Sequence, residues 1–266
     1  MSQIWHILLY QPILNAIIFL YKVLFNNLGL AIVALTLFVR ILLIPLMNPQ
    51  LKSAQKMAEL APALKKLKEK YKDDKKGFAQ AQLQLYKEKG INPAAGCLPQ
   101  ILQFIILISL YQVFNQVIKP DGIEVIKKIN EGLYPFVKLS ADTVLNMRFL
   151  YLDLSKPDLI KIPGLVAIPG VFVILATVFQ FLSSKMMAPV VKKEEKLAQK
   201  TETKSDDMAT AMQKQMLYLF PVMTLIFGYT LPSGVMIYWF IFSFFSFLQQ
   251  YFINRQNKKK QVAVND

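Results

Sequence analysis

The chain has 266 residues, of which 54% are hydrophobic and only 18% charged, with 31 Lys and Arg against 17 Asp and Glu for a formal net charge of +14. A water-soluble domain must show a charged surface and rarely combines so few charges with a positive mean hydropathy, which argues against an ordinary soluble protein. The surplus lysines lie between apolar blocks, where a membrane protein keeps its cytoplasmic positive charge, so DNA is not an expected partner. A single cysteine, Cys97, excludes an intramolecular disulfide and a multi-cysteine metal site.

The opening residues carry no basic side chain before Lys22 and no lipid-anchor cysteine, and they do not read as a cleaved secretory leader. Trp5, Leu8, Leu9, Ile13, Ile17 and Leu20 form a broad apolar stripe that Asn26-Asn27 closes. The preferred reading of residues 1–27 is an external interfacial amphipathic helix, with a short span as the alternative. Residues 28–47 form the first expected transmembrane helix, ended by Pro45 and Pro49. Residues 48–92 change to a lysine-rich amphipathic pattern. Leu51, Met57, Leu60, Leu64, Leu67 and Tyr71 recur at helical steps, Pro62 should bend or split the helix, and the polar turn Lys72-Asp73-Asp74-Lys75 leads into a second helix over 77–89. That predicts a cytoplasmic helical hairpin.

A second apolar run over 93–118 predicts the next transmembrane helix, whereas the external region 119–161 is too broken to span. The third predicted span is 162–186, followed by a polar cytoplasmic loop over 187–212. Residues 213–230 and 234–253 are the fourth and fifth spans, separated by an external turn at 231–233 within Leu231-Pro232-Ser233-Gly234. A basic cytoplasmic tail covers 254–266. The expected fold is therefore an all-α polytopic membrane protein with five transmembrane helices. Residues 48–95 hold 11 basic and 5 acidic side chains and 119–161 hold 7 and 6, which places the N-terminus outside and the C-terminus in the cytoplasm.

Arg40 is the most informative residue. It sits roughly 10 Å from the end of the first span, where an arginine costs at least about 2.5–3.5 kcal/mol on insertion scales. Its side chain either snorkels to the headgroups or turns into a wet cavity inside the bundle. Thr36 lies one turn away on the same face, while Gln100, Gln103, Gln180 and Tyr238 put polar groups on other spans. No span contains Asp or Glu, His6 is the only histidine, and there is no phosphate-binding glycine loop. No enzymatic constellation, metal site or cofactor is expected. What remains is a passive or substrate-driven device, with a channel or small-solute transporter as the rival class.

Several separated motifs then fall into a familiar order: TLFVRILLIPL at 36–46, MAELAPALKKLKEKY at 57–71, GINPAAGCLPQILQ at 90–103, FLYLDLSKPD at 149–158, FQFLSSKM at 179–186, MQKQMLYLFPVMTLIFGYTLPSGVMIYW at 212–239 and LQQYFI at 248–253. Together they resemble the YidC family of membrane protein insertases, relatives of the mitochondrial oxidase-assembly and chloroplast Albino proteins, in a compact bacterial form without a large external domain. The resemblance implies a five-helix insertase core in a bacterial plasma membrane, with a groove open to the cytoplasm and lipid. In that groove Arg40 would attract polar or acidic parts of an incoming chain, and Thr36, Gln100, Gln103, Gln180 and Tyr238 would line its route. Leu107 and Trp239 would supply hydrophobic substrate contacts. The chain departs from the family at Gln103-Phe104-Ile105-Ile106-Leu107, where Ile105 replaces a proline and Leu107 an aromatic residue. The implied partners are nascent membrane proteins, membrane lipids, the ribosome and the Sec translocase, and the implied state is a monomer.

Overall fold

The computed structural model describes the backbone of residues 3–71, 74–90, 98–117, 122–164, 166–187 and 206–265. Among these residues the regular structure is helical apart from four two-residue strands, which lie in an otherwise irregular stretch between Gly132 and Val171. The helices are α1 (Gln3–Val23), with a π-helical turn at His6–Tyr10, α2 (Leu28–Glu59), α3 (Ala61–Lys70), α4 (Lys75–Glu88), α5 (Leu98–Val117), α6 (Gly122–Gly132), α7 (Val171–Met187), α8 (Asp206–Thr230) and α9 (Ser233–Asn265). The strands pair antiparallel as β1 (Arg148–Phe149) with β2 (Leu152–Asp153) and β3 (Leu159–Ile160) with β4 (Ile168–Pro169).

Among the described residues three helical segments are long and apolar enough to cross a membrane, Gln3–Val23, Leu28–Pro45 and Ser233–Gln256, and Val171–Met186 and Leu217–Thr230 are shorter apolar helices. The chain is an all-α multi-span membrane protein, and α1 has the length and apolarity of a span.

Several boundaries differ from the sequence expectation. α2 runs through Pro45 and Pro49 and stops only at Glu59. A proline removes one helical hydrogen bond, but helices in a low-water environment tolerate it when neighbouring groups compensate. The break comes at Leu60, with Pro62 in the first turn of α3, where its missing N–H has no intrahelical partner to lose. The third apolar run begins with the β3–β4 ribbon, and helix starts only at Val171. Gly164, at φ 80°, turns the chain within that ribbon. α8 begins at Asp206 and α9 continues to Asn265, so the tail is helical well past residue 253. The expected polar turn at Lys72-Asp73, the start of the second span through Cys97 and most of the 187–212 loop lie outside the described residues.

The described residues group into two units, each considered by itself. Within Leu43–Pro99, Phe179–Val222 and Ser246–Asp266, α3 packs against α4, whose N-cap Asp74 accepts the Gly77 N–H at 2.9 Å. In the same unit Phe179 meets Phe247 at 5.6 Å and Phe181 meets Tyr218 at 6.0 Å between centroids. Asn254 reaches the Met186 carbonyl at 3.4 Å.

The other unit, Met1–Leu42, Gln100–Val178 and Met223–Phe245, holds the buried apolar core, to which Leu14, Ile18, Ile32, Phe114, Ile129 and Met236 contribute. The buried Asn15 ties α1 to the end of α6: its amide donates to the Gly132 carbonyl at 3.0 Å and its oxygen accepts the Tyr134 N–H at 2.7 Å. Asn27 caps α2 through the Leu30 N–H at 3.0 Å.

The segment 149–158 works as a double cap. The buried Asp158 carboxylate accepts the Tyr151 hydroxyl at 3.0 Å and the Phe172 N–H at 2.9 Å, so a negative charge stands at the N-terminus of α7. Gly170 permits this approach, because a Cβ there would fall on the carboxylate. Two carbonyls of the same segment, Lys156 at 2.7 Å and Leu154 at 3.4 Å, accept the N–H groups of Ser233 and Gly234 at the start of α9, while Ser233 Oγ donates to the Asp153 carbonyl at 2.9 Å. These are donors that a helix leaves without an internal partner. A Lys156 ion pair at 2.8 Å and hydrogen bonding from Ser155 hold the Asp153 carboxyl below the usual carboxylate range. Burial, and then Asp158, push the Tyr151 hydroxyl up to about 12.

Asp158→Ala is expected to lower the thermal midpoint by an amount corresponding to about 2–4 kcal/mol, from a lost cap and a Tyr151 hydroxyl without its acceptor. Gly170→Ala should be comparably harmful alone and nearly harmless in the Asp158→Ala background, a non-additivity that melting curves of the four proteins in detergent would measure. Because the folded Tyr151 pKa is raised from 10.0 to about 12, the unfolded chain loses that proton first. Stability should therefore fall as pH rises from 10.0 toward about 12, with a shallower fall for Tyr151→Phe.

Candidate functional site

The surface of α2 is inverted relative to a soluble helix. Phe38, Ile41 and Leu42 are 64%, 65% and 64% exposed, whereas Thr36 and Arg40, one helical turn apart, are 2% and 4% exposed. Polar groups point inward and apolar groups outward, which is the distribution that a hydrocarbon solvent selects. Arg40 thus turns into the bundle rather than along the helix toward a headgroup.

Its guanidinium lies over the Phe242 ring, with Cζ 3.7 Å from the centroid, and Nη2 donates to the Phe242 carbonyl at 2.5 Å. A desolvated cation–π contact is worth about 2 kcal/mol and a charged hydrogen bond about 1.5–3. Their sum is of the same order as the insertion cost of an arginine, which explains how the charge stays inside.

Tyr238 stands one turn before Phe242 on α9, its ring 6.3 Å from the Phe242 ring, and its hydroxyl donates to Gln103 Oε1 of α5 at 3.0 Å. Tyr238 and Gln103 are 2% and 4% exposed. Gln103 Nε2 is buried with no hydrogen-bond partner. α2, α5 and α9 each contribute to one enclosed cluster of a cation, an amide and a phenol. Thr36 borders it with its hydroxyl directed to the Ile32 carbonyl at 2.6 Å, a local bond that leaves the oxygen able to accept.

The other expected site residues fall as follows. Leu107 and Trp239 are buried in the apolar core of the same unit, with Trp239 5.8 Å from the Phe227 ring. Gln180 is half-buried on α7 in the other unit. The Gln100 side chain lies outside the described residues. Sequence reasoning missed Phe242, although its four-residue spacing from Tyr238 places both on one helix face. It also missed the buried Thr224 and Ser243, which read as isolated small polar residues in apolar runs. No group of three metal-binding side chains occurs among the described residues.

The sequence profile of the family described as "60Kd inner membrane protein" matches residues 19–261. A protein named membrane protein insertase YidC from Fusobacterium nucleatum subsp. nucleatum is 31% identical over 231 residues, covering 87% of this chain and 88% of its own length. Membrane protein insertase YidC 2 of Listeria innocua is 32% identical over 245 residues, covering 90% of this chain and 69% of its own. The Streptomyces avermitilis protein of the first name is 30% identical over 240 residues, with coverage of 86% and 51%.

The Gln103–Tyr238 pair generates a stability test. Tyr238→Phe alone strands both ends of a buried amide and should cost about 1–3 kcal/mol, whereas Tyr238→Phe with Gln103→Leu removes both polar partners and should be close to neutral. Thermal midpoints of the two variants in detergent would measure the difference.

Proposed function

The chain belongs to the 60Kd inner membrane protein family, which includes the YidC insertases, and from that premise we propose that it is a membrane protein insertase of a bacterial plasma membrane. The observation that carries the reading is the inward cluster of Arg40, Gln103 and Tyr238 on three helices whose outward faces are apolar. Moving a polar segment across hydrocarbon requires desolvation, and a polar interior replaces part of the lost water contacts. In this mechanism the cluster opens as a groove toward the cytoplasm. Arg40 receives acidic or polar groups of a nascent chain, and Thr36, Gln103 and Tyr238 supply hydrogen bonds along the route.

The hydrophobic part of the substrate then leaves sideways past Leu107 and Trp239 into lipid, where transfer releases about 0.8 kcal/mol per buried methylene. No nucleotide enters the scheme. With α1 lying in the membrane surface, five membrane helices, an external N-terminus and a cytoplasmic C-terminus suit this direction of transport, and the positive-inside distribution supports that orientation. The α3–α4 hairpin and the lysines at 258–260 are the receiving surface for nascent chains and the ribosome, the Sec translocase is a further partner, and the same groove assists folding and assembly.

Liposomes containing only this protein provide the test. A single-span substrate with a short acidic tail is translated in their presence, and protection of the tail from protease is compared with empty liposomes. Wild type should protect the tail, Arg40→Lys should retain part of that activity, and Arg40→Ala should fall by about fivefold or more, as expected for about 1 kcal/mol or more of lost charge interaction. Equal protection in all three proteins would remove Arg40 from the mechanism. Solute flux without tail protection would overturn the insertase reading in favour of a pore.

A further inference from the structure

α1 ends in an unusual way. Phe25 and Asn26 follow it with φ 55° and 51°, the left-handed region that asparagine tolerates and a bulky ring does not favour. Phe25 is nevertheless 87% exposed, so the strained position presents the ring outward instead of burying it. Two bonds join this end of α1 to the 138–146 segment: Lys22 Nζ donates to the Lys138 carbonyl at 2.7 Å, and the Tyr21 hydroxyl accepts the Asn146 N–H at 3.2 Å. Between them lies a cavity of about 400 Å³ lined by Lys22, Lys138, Ser140 and Thr143, with Phe25 and the 89% exposed Val144 also on its wall.

The chemistry is layered. Two ammonium groups and two hydroxyls accompany an aromatic and an aliphatic side chain that no protein packing accounts for. Lys22 has three donors, one of which goes to the Lys138 carbonyl. Its place in the last turn of an apolar helix puts the amine at headgroup depth, whether that helix crosses the bilayer or lies in its surface. Asp142 is exposed in the same segment but does not line the cavity.

We propose that this cavity binds the headgroup of an anionic phospholipid, with Lys22 and Lys138 facing its phosphate, Ser140 and Thr143 hydrogen-bonding its polar ester region, and Phe25 and Val144 entering the adjoining acyl layer. The charged pair confers selectivity for anionic over zwitterionic lipid. Exposed apolar side chains at the rim favour a lipid over a free phosphate ester. The inference is independent of the insertase reading, since it concerns neither Arg40 nor substrate.

Native mass spectrometry of the full, delipidated chain in detergent tests it, with phosphatidylglycerol and phosphatidylcholine as probes. Wild type should retain phosphatidylglycerol preferentially. Lys138→Gln, which leaves the Lys22 bond to the main chain intact, should lower that retention about fivefold, and Lys22→Gln with Lys138→Gln about thirtyfold. Lys127→Gln with Lys161→Gln, which removes the same charge from exposed positions outside the cavity, should leave retention within about twofold of wild type. Phe25→Ser should weaken retention of the lipid while leaving the preference for the anionic headgroup. Equal retention of both lipids, or an equal loss in the Lys127 and Lys161 control, would overturn the proposal, as would displacement of the lipid by millimolar glycerol phosphate.

Discussion

A carboxylate buried beneath the start of a helix is the contact on which the rest of the extracore architecture depends. Asp158 accepts main-chain N–H groups of α7 and the Tyr151 hydroxyl, while neighbouring carbonyls of the same segment accept the first donors of α9. A helix end has donors with no internal partner, and in a protein surrounded by hydrocarbon water cannot be relied on to serve them. One short segment therefore serves the starts of two helices. The side chains that could not be changed there are set by distance of approach: Gly170 leaves room for the carboxylate, and Gly234 lets the Phe114 ring of α5 pack directly against the α9 backbone.

With the helix starts fixed, the interior can hold groups that a membrane protein otherwise excludes. Among the contacts of Arg40 are a ring face and a carbonyl, both uncharged, and the Gln103 amide is satisfied at its oxygen but not at its buried nitrogen. A packed structural network would use every donor, since a half-satisfied network is less favourable than an apolar core. The Gln103 nitrogen is a buried donor left over among these contacts. On the insertase reading that donor is available to the main chain of a passing substrate.

The membrane class and the family were legible because each rests on a strong local signal, long apolar runs and motifs in a fixed order, whereas Arg40 stood out as one cation where a cation is expensive but its direction stayed open between headgroups and bundle. The Tyr238–Gln103 contact was anticipated only as two residues of one lining, since sequence spacing relates positions within a helix and says nothing of which helices meet. Helix ends were the weakest part. Pro45 and Pro49 suggested a stop that the helix ignores, because tertiary surroundings override a single residue's preference. The opposite error occurred at 162–170. Two Pro-Gly pairs, Pro163-Gly164 and Pro169-Gly170, signalled turns inside an apolar run, yet hydropathy alone extended the span across them. The role of FLYLDLSKPD was unreadable from sequence, since a capping segment has no periodicity and its partners lie far along the chain.

Arg40's two contacts with Phe242 are uncharged, which bears on how, on the insertase reading, the site would release what it binds. A guanidinium fixed by a carboxylate in a dry interior is costly to separate, because breaking the pair leaves an uncompensated charge. The apolar spans themselves carry no Asp or Glu. The Phe242 carbonyl and ring face together contribute about 3.5–5 kcal/mol, which on the insertase reading lies within the range of what a charged group on an incoming chain would replace. On that reading exchange runs in both directions: an acidic group displaces Phe242, and Phe242 recovers the guanidinium once that group moves on. An insertase of the kind proposed needs this reversibility, since any contact that is too strong would halt the chain at the arginine.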